Sequence, residues 1–177
     1  MRAATSRALP LTLALLTACG SHLRERPGAG RPSPLQAGEC ALAVDPGSRP
    51  GRVVLRVTFK PAPAQGGLVL TLKADPGRYT WEPLQEHHPG YTVVAVSGAG
   101  PGELHLCLFV NDPARVPLTR EEAVCWVACQ MREADGPAGG PFPLEILRAK
   151  VLEEGSRPGE VHELKDARVV TGLLQLP

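Results

Sequence analysis

The sequence is poor in aromatic residues, and neither sign of charge predominates. Only 2 Trp, 2 Tyr and 3 Phe occur among 177 residues, so a hydrophobic core has to consist chiefly of Val and Leu. The 19 Lys and Arg residues are balanced by 18 Asp and Glu residues, which argues against nucleic acid as a partner. The apolar segment at residues 8–18 is much shorter than the roughly 20 residues that a membrane-spanning helix needs. These deficits argue against a nucleic-acid-binding domain and against a spanning helix at this segment.

What the N-terminus does contain is the layout of a secretory signal peptide. Arg2 and Arg7 give it a positive start, and a short apolar stretch with small residues follows. The four residues Leu16-Thr17-Ala18-Cys19 resemble the lipobox of bacterial lipoproteins. That resemblance implies cleavage just before Cys19, transfer of a diacylglycerol to its thiol, and acylation of the new amine.

Lipid on Cys19 would determine where the protein resides. Each buried methylene contributes about 0.8 kcal/mol and a single chain anchors weakly, so several chains on one residue are needed for stable attachment. Ser21 follows Gly20 at the place where inner-membrane lipoproteins of many bacteria carry Asp. The resemblance therefore implies export to the outer membrane.

Composition divides the rest of the chain into a tether and one domain. Gly and Pro number 19 each, and they are concentrated in residues 20–38, which show no apolar periodicity. Pro-rich segments of this kind are extended. We therefore expect a signal peptide at 1–18, an acylated cysteine and Pro/Gly-rich tether at 19–38, and a folded domain at 39–177.

Alternating apolar and polar residues predict that this domain consists mainly of β-strands. In residues 52–60 (RVVLRVTFK) every second side chain is apolar, which is typical of a half-buried strand. The same pattern predicts strands at 39–44, 67–73, 91–96, 103–111, 144–152 and 167–176. Several short strands separated by turn residues favour an antiparallel, immunoglobulin-like β-sandwich. Residues 101–110 (PGELHLCLFV) also resemble the strand of immunoglobulin-like domains that carries the inter-sheet cysteine.

One segment predicts a short helix instead. Thr119 and Glu122 have the spacing of a capping box, and Gly136 would end the helix. Against this, the run Val124–Val127 would suit a strand. We take residues 120–131 as helical, with a strand as the alternative.

Four cysteines besides Cys19 are candidates for disulfides: Cys40, Cys107, Cys125 and Cys129. An even number in an exported protein favours bridges, and four thiols allow three pairings. On a helix Cys125 and Cys129 would share a face without bonding each other, so they would pair with the other two. A bridge closing a loop as long as that between Cys40 and Cys107 would contribute roughly 4 kcal/mol.

The spacing of Cys125 and Cys129 also permits a different chemistry. It is similar to the CxxxC motif of copper-delivering, thioredoxin-like lipoproteins, which implies thiol-redox or metal-handling activity. That family has Pro directly after the second cysteine, whereas this chain has Gln130. The structural interpretation of the cysteines is therefore preferred, with the thiol-redox or metal function as its rival.

No other motif indicates catalysis or a cofactor. His87 and His88 lie in a turn without a third ligand at a suitable spacing. His105 could assist a nucleophilic Cys107, but a structural disulfide accounts better for that cysteine. A phosphate-binding loop, HExxH and GxSxG are all missing from the sequence. We expect no enzyme, no metal site and no cofactor.

The few aromatic residues include three candidates for recognition. Tyr79 and Trp81 alternate onto one strand face, and Tyr91 follows the next loop. Exposed aromatics can bind proteins or glycans, and buried ones would plug one end of the sandwich. Trp126, between two cysteines, is expected in the core against a disulfide.

Together these observations predict an outer-membrane, cell-envelope lipoprotein that acts as a non-catalytic interaction or assembly module. Its partners would be the membrane, through the lipid, and other envelope proteins. A narrower alternative is an accessory lipoprotein of a surface machine such as that of gliding motility. The alternatives of another class are the thiol-redox or metal-handling protein and a glycan-binding module.

Overall fold

A computed structural model describes residues 33–84, 86–132, 140–171 and 174. Every described residue belongs to one compact unit, residues 31–177. The expected signal peptide and Cys19 therefore lie outside the described residues. Within the described ranges, no helix has the length and apolar character needed to cross a membrane.

The described chain forms strands that assemble into two sheets. They are β1 (Glu39–Val44), β2 (Arg52–Lys60), β3 (Gln65–Ala74), β4 (Tyr79–Trp81), β5 (Glu86–His87), β6 (Tyr91–Ser97), β7 (Glu103–Val110), β8 (Cys125–Met131), β9 (Leu144–Glu153), β10 (Glu163–Asp166) and β11 (Arg168–Thr171). One sheet has the order β11-β1-β2-β8-β4, with β5 also paired to β8, and the other has the order β10-β9-β3-β7-β6. The pairing of β1 with β11 is parallel, and the other strand pairs are antiparallel.

The core lies between the two sheets and consists mainly of Val and Leu, as predicted. Strand β2 occupies the predicted residues, and its alternate side chains face inward because one side of each sheet packs on the other. These inward side chains are almost fully buried: Val53, Leu55, Val57 and Phe59 from β2, Leu68, Leu70 and Leu72 from β3, and Leu104, Leu106 and Leu108 from β7. The prediction of a β-sandwich is confirmed.

The predicted helix is wrong, because residues 125–131 form strand β8 between β2 and β4. Alternation along β8 sends Cys125, Val127 and Cys129 into the core, and a helix could not pair with both neighbouring strands. The only helical element among the described residues is a 3-10 helix, Pro113–Arg115.

The folded domain also begins earlier than the sequence predicts. Leu35, which we assigned to the tether, is 3% exposed, and Pro34 forms an isolated bridge with Thr119. The carboxylate of Glu39 accepts a hydrogen bond from the backbone N–H of Gln36 at 3.0 Å. This bond, with additional attraction from nearby arginines, lowers the pKa of Glu39 despite its burial. The contacts hold residues 34–36 against the first sheet.

Gly67 provides a test of the strand packing. A Cβ atom at Gly67 would lie 2.0 Å from the backbone oxygen of Leu108, and β7 cannot move away without losing its pairing with β3. We expect Gly67→Ala to lower the free energy of unfolding by about 3 kcal/mol or more, measured by urea denaturation.

The matched control is Gly77→Ala. There the added Cβ meets only the side chain of Asp75, at 3.2 Å. A shift of a few tenths of an ångström relieves this contact, and the carboxylate can keep accepting from the Gly77 N–H. A change well below 1 kcal/mol is expected at a surface position of this kind. Equal losses for the two variants would contradict the packing of β3 against β7.

Candidate functional site

A surface depression beside β8 contains an aromatic residue, and we call it the Trp126 groove. Strand alternation turns Trp126 outward, opposite to its buried neighbours Cys125 and Val127. The groove has a volume of about 480 Å³, and its lining consists of Trp126, His88, Pro89, Arg115, Val116, Pro117, Leu118, Glu121, Glu122 and Ala123. Its walls therefore come from the turn between β5 and β6 and from the loop between the 3-10 helix and β8.

Hydrogen bonds to the backbone shape both walls. The carboxylate of Glu122 accepts from the backbone N–H groups of Leu118 and Thr119. The predicted capping-box contact is thus present, but it closes a loop instead of starting a helix. On the other wall, the N–H of His88 donates to the backbone oxygen of Val124 at 2.7 Å. The His88 ring accepts from the N–H of Gly90 at 3.1 Å.

Trp126 is held by its polar edge. Its indole Nε1 donates to a carboxylate oxygen of Asp45 at 3.2 Å, and that oxygen lies 3.5 Å from the guanidinium Nε of Arg56. Arg56 in turn lies within 3.5 Å of the backbone oxygen of Glu121. The indole is therefore oriented before any ligand arrives, and its apolar ring remains a wall of the groove.

The chemistry of the groove suits binding. Leu118 stands at its rim with 60% of its surface exposed, and Trp126, Val116 and Pro117 provide apolar walls. Arg115 and two glutamates add polar groups at the margin. Concave apolar sites with a few polar groups are typical of ligand sites, and exposed Trp and Arg side chains contribute strongly to protein interfaces.

The sequence did not reveal this groove. Trp126 was expected in the core against a disulfide, and that expectation is wrong. The misassigned helix put Trp126 on the wrong side, because a helix and a strand distribute the run Val124–Val127 over different faces.

Two of the three aromatic binding candidates are core residues. Tyr79 is 3% exposed and Tyr91 is 1% exposed, so each offers little surface to a ligand. Tyr79 still lines a small depression beside Trp81, and the assignment of the two residues to binding stays a prediction. The Tyr79 ring packs edge-on against Phe142 at 5.1 Å. The Tyr91 hydroxyl donates to the backbone oxygen of Phe59 at 2.8 Å.

The third candidate, Trp81, keeps part of its surface accessible. It lies on the same face of β4 as Tyr79, as predicted. Its indole Nε1 donates to the backbone oxygen of Gly102 at 2.8 Å. A smaller depression of about 280 Å³ adjoins Trp81 and Arg132. Much of the indole edge is thus already occupied by a structural contact.

The four described cysteines are free thiols, which corrects the disulfide prediction. Cys40, Cys125 and Cys129 lie in the core between the sheets. Cys107 is on the outer face of β7 and packs against a separate cluster that contains Val69, Phe109 and Leu152. The resemblance to the immunoglobulin strand with an inward cysteine therefore does not extend to Cys107.

Strand geometry explains why the three core thiols do not pair with one another. Strand β2 lies between Cys40 on β1 and Cys125 on β8, so their Cα atoms are roughly 10 Å apart or more. Cys125 and Cys129 are four residues apart on one strand, which separates them by about 13 Å. Both separations exceed the roughly 7 Å that a disulfide allows between Cα atoms.

The same burial speaks against a redox or metal role for Cys125 and Cys129. Burial raises the pKa of each of these thiols to about 12, and the thiolate is the form that attacks disulfides and binds metals. Both side chains are completely buried. The thiol-redox or metal-handling alternative has no support in this geometry.

The described histidines do not belong to a cluster of metal ligands. His105 contacts the Thr71 hydroxyl through Nδ1 at 2.8 Å, and burial raises the pKa of the nearby Cys107 thiol. His87 is exposed, and His88 belongs to a wall of the Trp126 groove. Within the described ranges, no group of three or more His, Cys, Asp or Glu side chains could hold a metal ion.

Comparisons with known proteins give similarity in fold only. No family model matches the chain, and no curated protein matches it. A type II cohesin domain from the cellulosome of Acetivibrio cellulolyticus superimposes with a TM-score of 0.50 at 10% identity, over 82% of this chain and 95% of that one. A cohesin module from a Clostridium perfringens family 33 glycoside hydrolase gives a TM-score of 0.48 at 10% identity, over 80% and 99% of the two chains. The first of these shows that the sandwich is cohesin-like.

Thiol labelling tests the placement of the cysteines. We expect an aromatic disulfide reagent at about pH 8 to leave Cys40, Cys125 and Cys129 unmodified in the folded protein. Unfolding in urea without reductant should then expose these three thiols, since nothing but burial protects them. Peptide mass spectrometry assigns each modified residue. Thiols that stay blocked in urea until a reductant is added would contradict this placement.

Proposed function

We propose that this protein is a cell-envelope lipoprotein whose β-sandwich is a non-catalytic module for binding another protein, with the Trp126 groove as the contact site. The observation that carries the proposal is the oriented, solvent-accessible Trp126 beside the exposed Leu118 in an apolar groove of about 480 Å³. Such a groove fits apolar side chains of a partner protein.

The side chains of the groove are held in place before a partner binds, and this order favours tight binding. Asp45 and Arg56 hold the indole edge, and Glu122 holds the Leu118 backbone. Side chains and loops that are already ordered lose little conformational entropy when a partner arrives. The cohesin-like fold supports the proposal further, since the cohesin domain that it resembles comes from a multi-protein assembly, the cellulosome.

The lipid anchor in this proposal rests on the lipobox resemblance of Leu16–Cys19. Acylation there would keep the module at a membrane surface, with the residues before Pro34 between the lipid and the folded domain. A role in the outer membrane, and within it a role in a surface machine such as that of gliding motility, are narrower forms of the same proposal.

The anchor is tested by Cys19→Ser in the full chain. We expect the variant to stay unprocessed by the lipoprotein signal peptidase and to lose the acyl chains, because only the Cys19 thiol can accept the diacylglycerol. Intact-mass spectrometry and metabolic labelling with a fatty acid measure both effects. Cys107→Ser is the matched control, and it should keep normal processing and labelling. Acylation that survives in Cys19→Ser would refute the anchor.

The groove is tested by photo-crosslinking in the native envelope. A photoreactive residue at Leu118 should capture one discrete protein, whereas the same residue at Val161, which is also exposed at 41% but is not part of the groove, should not. Trp126→Ala should lower the crosslinking yield at Leu118 by about tenfold or more, in keeping with the loss of a hot-spot side chain.

Fold and binding can be separated in this experiment. Trp126 lies on the outer face, so its replacement should leave the inward side chains in place, and the thermal midpoint is measured alongside the yield. An adduct that forms equally at Leu118 and Val161, or that persists unchanged in a folded Trp126→Ala variant, would mean that the groove is not the contact site.

A further inference from the structure

Most strands at the sheet edges in the described part of the chain are protected against pairing with another molecule. Strand β10 has three charged residues among its four, and β11 is short and begins with Arg168. Strands β4 and β5 have three and two residues. Short length and charge are the usual means of preventing an edge strand from pairing with another chain.

Strand β6 is the exception. It has seven residues (YTVVAVS), without charge or proline. Its register with β7 is continuous from Tyr91 opposite Val110 to Ser97 opposite Leu104, with no bulge. Val96, near its end, is 53% exposed. Within the described ranges β6 pairs with β7 alone, so it is an uncharged edge strand, and it is longer than the other described edge strands.

The hydrogen bonds at both ends of β6 show which of its backbone groups face outward. The N–H of Gly98 donates to the oxygen of Glu103, and the N–H of Asn111 donates to the oxygen of Gly90. Because bonded and non-bonded pairs alternate in an antiparallel ladder, the even-numbered residues of β6 bond to β7. Val93, Ala95 and Ser97 therefore direct their N–H and C=O groups toward the open edge.

We propose that β6 is a dimerisation edge, where the β6 strand of a second copy of this chain pairs antiparallel about a two-fold axis at Val94. In this register Val94 faces Val94, Val93 faces Ala95, and Thr92 faces Val96. Val93 and Ala95 exchange both of their outward hydrogen bonds. The two five-stranded sheets become one continuous ten-stranded sheet.

The residue pattern of β6 is the reason for choosing a second copy as the occupant. A two-fold axis requires the strand to be complementary to itself when it is turned round, so that each residue suits the one it faces, and β6 meets this around Val94. β-Branched side chains stand at 92, 94 and 96 on one face, and small or branched apolar side chains stand at 93 and 95 on the other. No charged residue meets a like charge, which would be destabilising across a strand pair.

The central pair provides the first test. In the full chain purified in detergent, Val94→Lys puts two ammonium groups opposite each other at the axis, whereas Val94→Thr keeps the shape without charge. We expect sedimentation velocity to show a dimer for the native chain and for Val94→Thr, and at least a tenfold weaker dimer for Val94→Lys. Mixing Val94→Lys with Val94→Glu should restore a dimer that contains one copy of each. A native chain that stays monomeric at about 100 μM, or the absence of mixed dimers, would overturn the proposal.

A second variant tests the proposal independently, in case Val94→Lys does not fold. Ala95→Pro removes an N–H group that points away from β7, so it leaves the β6–β7 ladder intact while deleting a bond to the second copy. It should also be monomeric, with a circular dichroism spectrum like that of the native chain. A folded Ala95→Pro that dimerises as tightly as the native chain would refute the proposal.

Disulfide trapping tests the register itself. In a Cys107→Ser background, which removes the thiol opposite residue 94 on β7, Val94→Cys should form a covalent dimer under mild oxidation, because non-bonded pairs bring their Cα atoms within about 4.5 Å. Val96→Cys in the same background is the control, since the two copies of residue 96 lie four residues apart along the strands. A dimer that is trapped at neither position, or equally at both, would mean that another surface is used.

Discussion

The burial of one face of each sheet against the other is the constraint on which the rest of the molecule depends. With so few aromatic residues, the core is filled by Val and Leu, and each fully buried side chain of this kind contributes about 1.5 to 3 kcal/mol. Because side chains alternate along a strand, fixing Leu55 and Val127 inward also fixes their neighbours outward. Trp126 is at the surface for this reason, and so is Cys107.

The surface features follow from what the sandwich leaves uncovered. Strand β8 belongs to the first sheet and turns Trp126 outward. The loop held by Glu122 lies beside Trp126, and together they form the groove. The second sheet ends at β6, whose outward backbone groups have no described strand to bond. One feature offers apolar side chains and the other offers hydrogen bonds, so the two can serve different contacts.

The cysteines show why a count of residues does not by itself predict disulfides. Four cysteines in a chain that begins with the layout of a signal peptide favoured disulfides. Pairing, however, requires that two strands bring their thiols within reach, and this depends on strand order. With β2 between β1 and β8, Cys40 and Cys125 remain separate apolar side chains. Their role is to fill the core, where burial keeps them protonated.

The sequence by itself determined the β class, the residues of β1 and β2, and the inward face of β2, β3 and β7, because period-two alternation is a local property of the chain. Only the tertiary structure decided the rest. The segment from Thr119 to Met131 has a helix-like start and a strand-like run from Val124, and pairing with both β2 and β4 decides in favour of a strand. The burial of Tyr79 and Tyr91, the groove at Trp126 and the open edge at β6 likewise depend on which distant segments become neighbours, which no local pattern encodes.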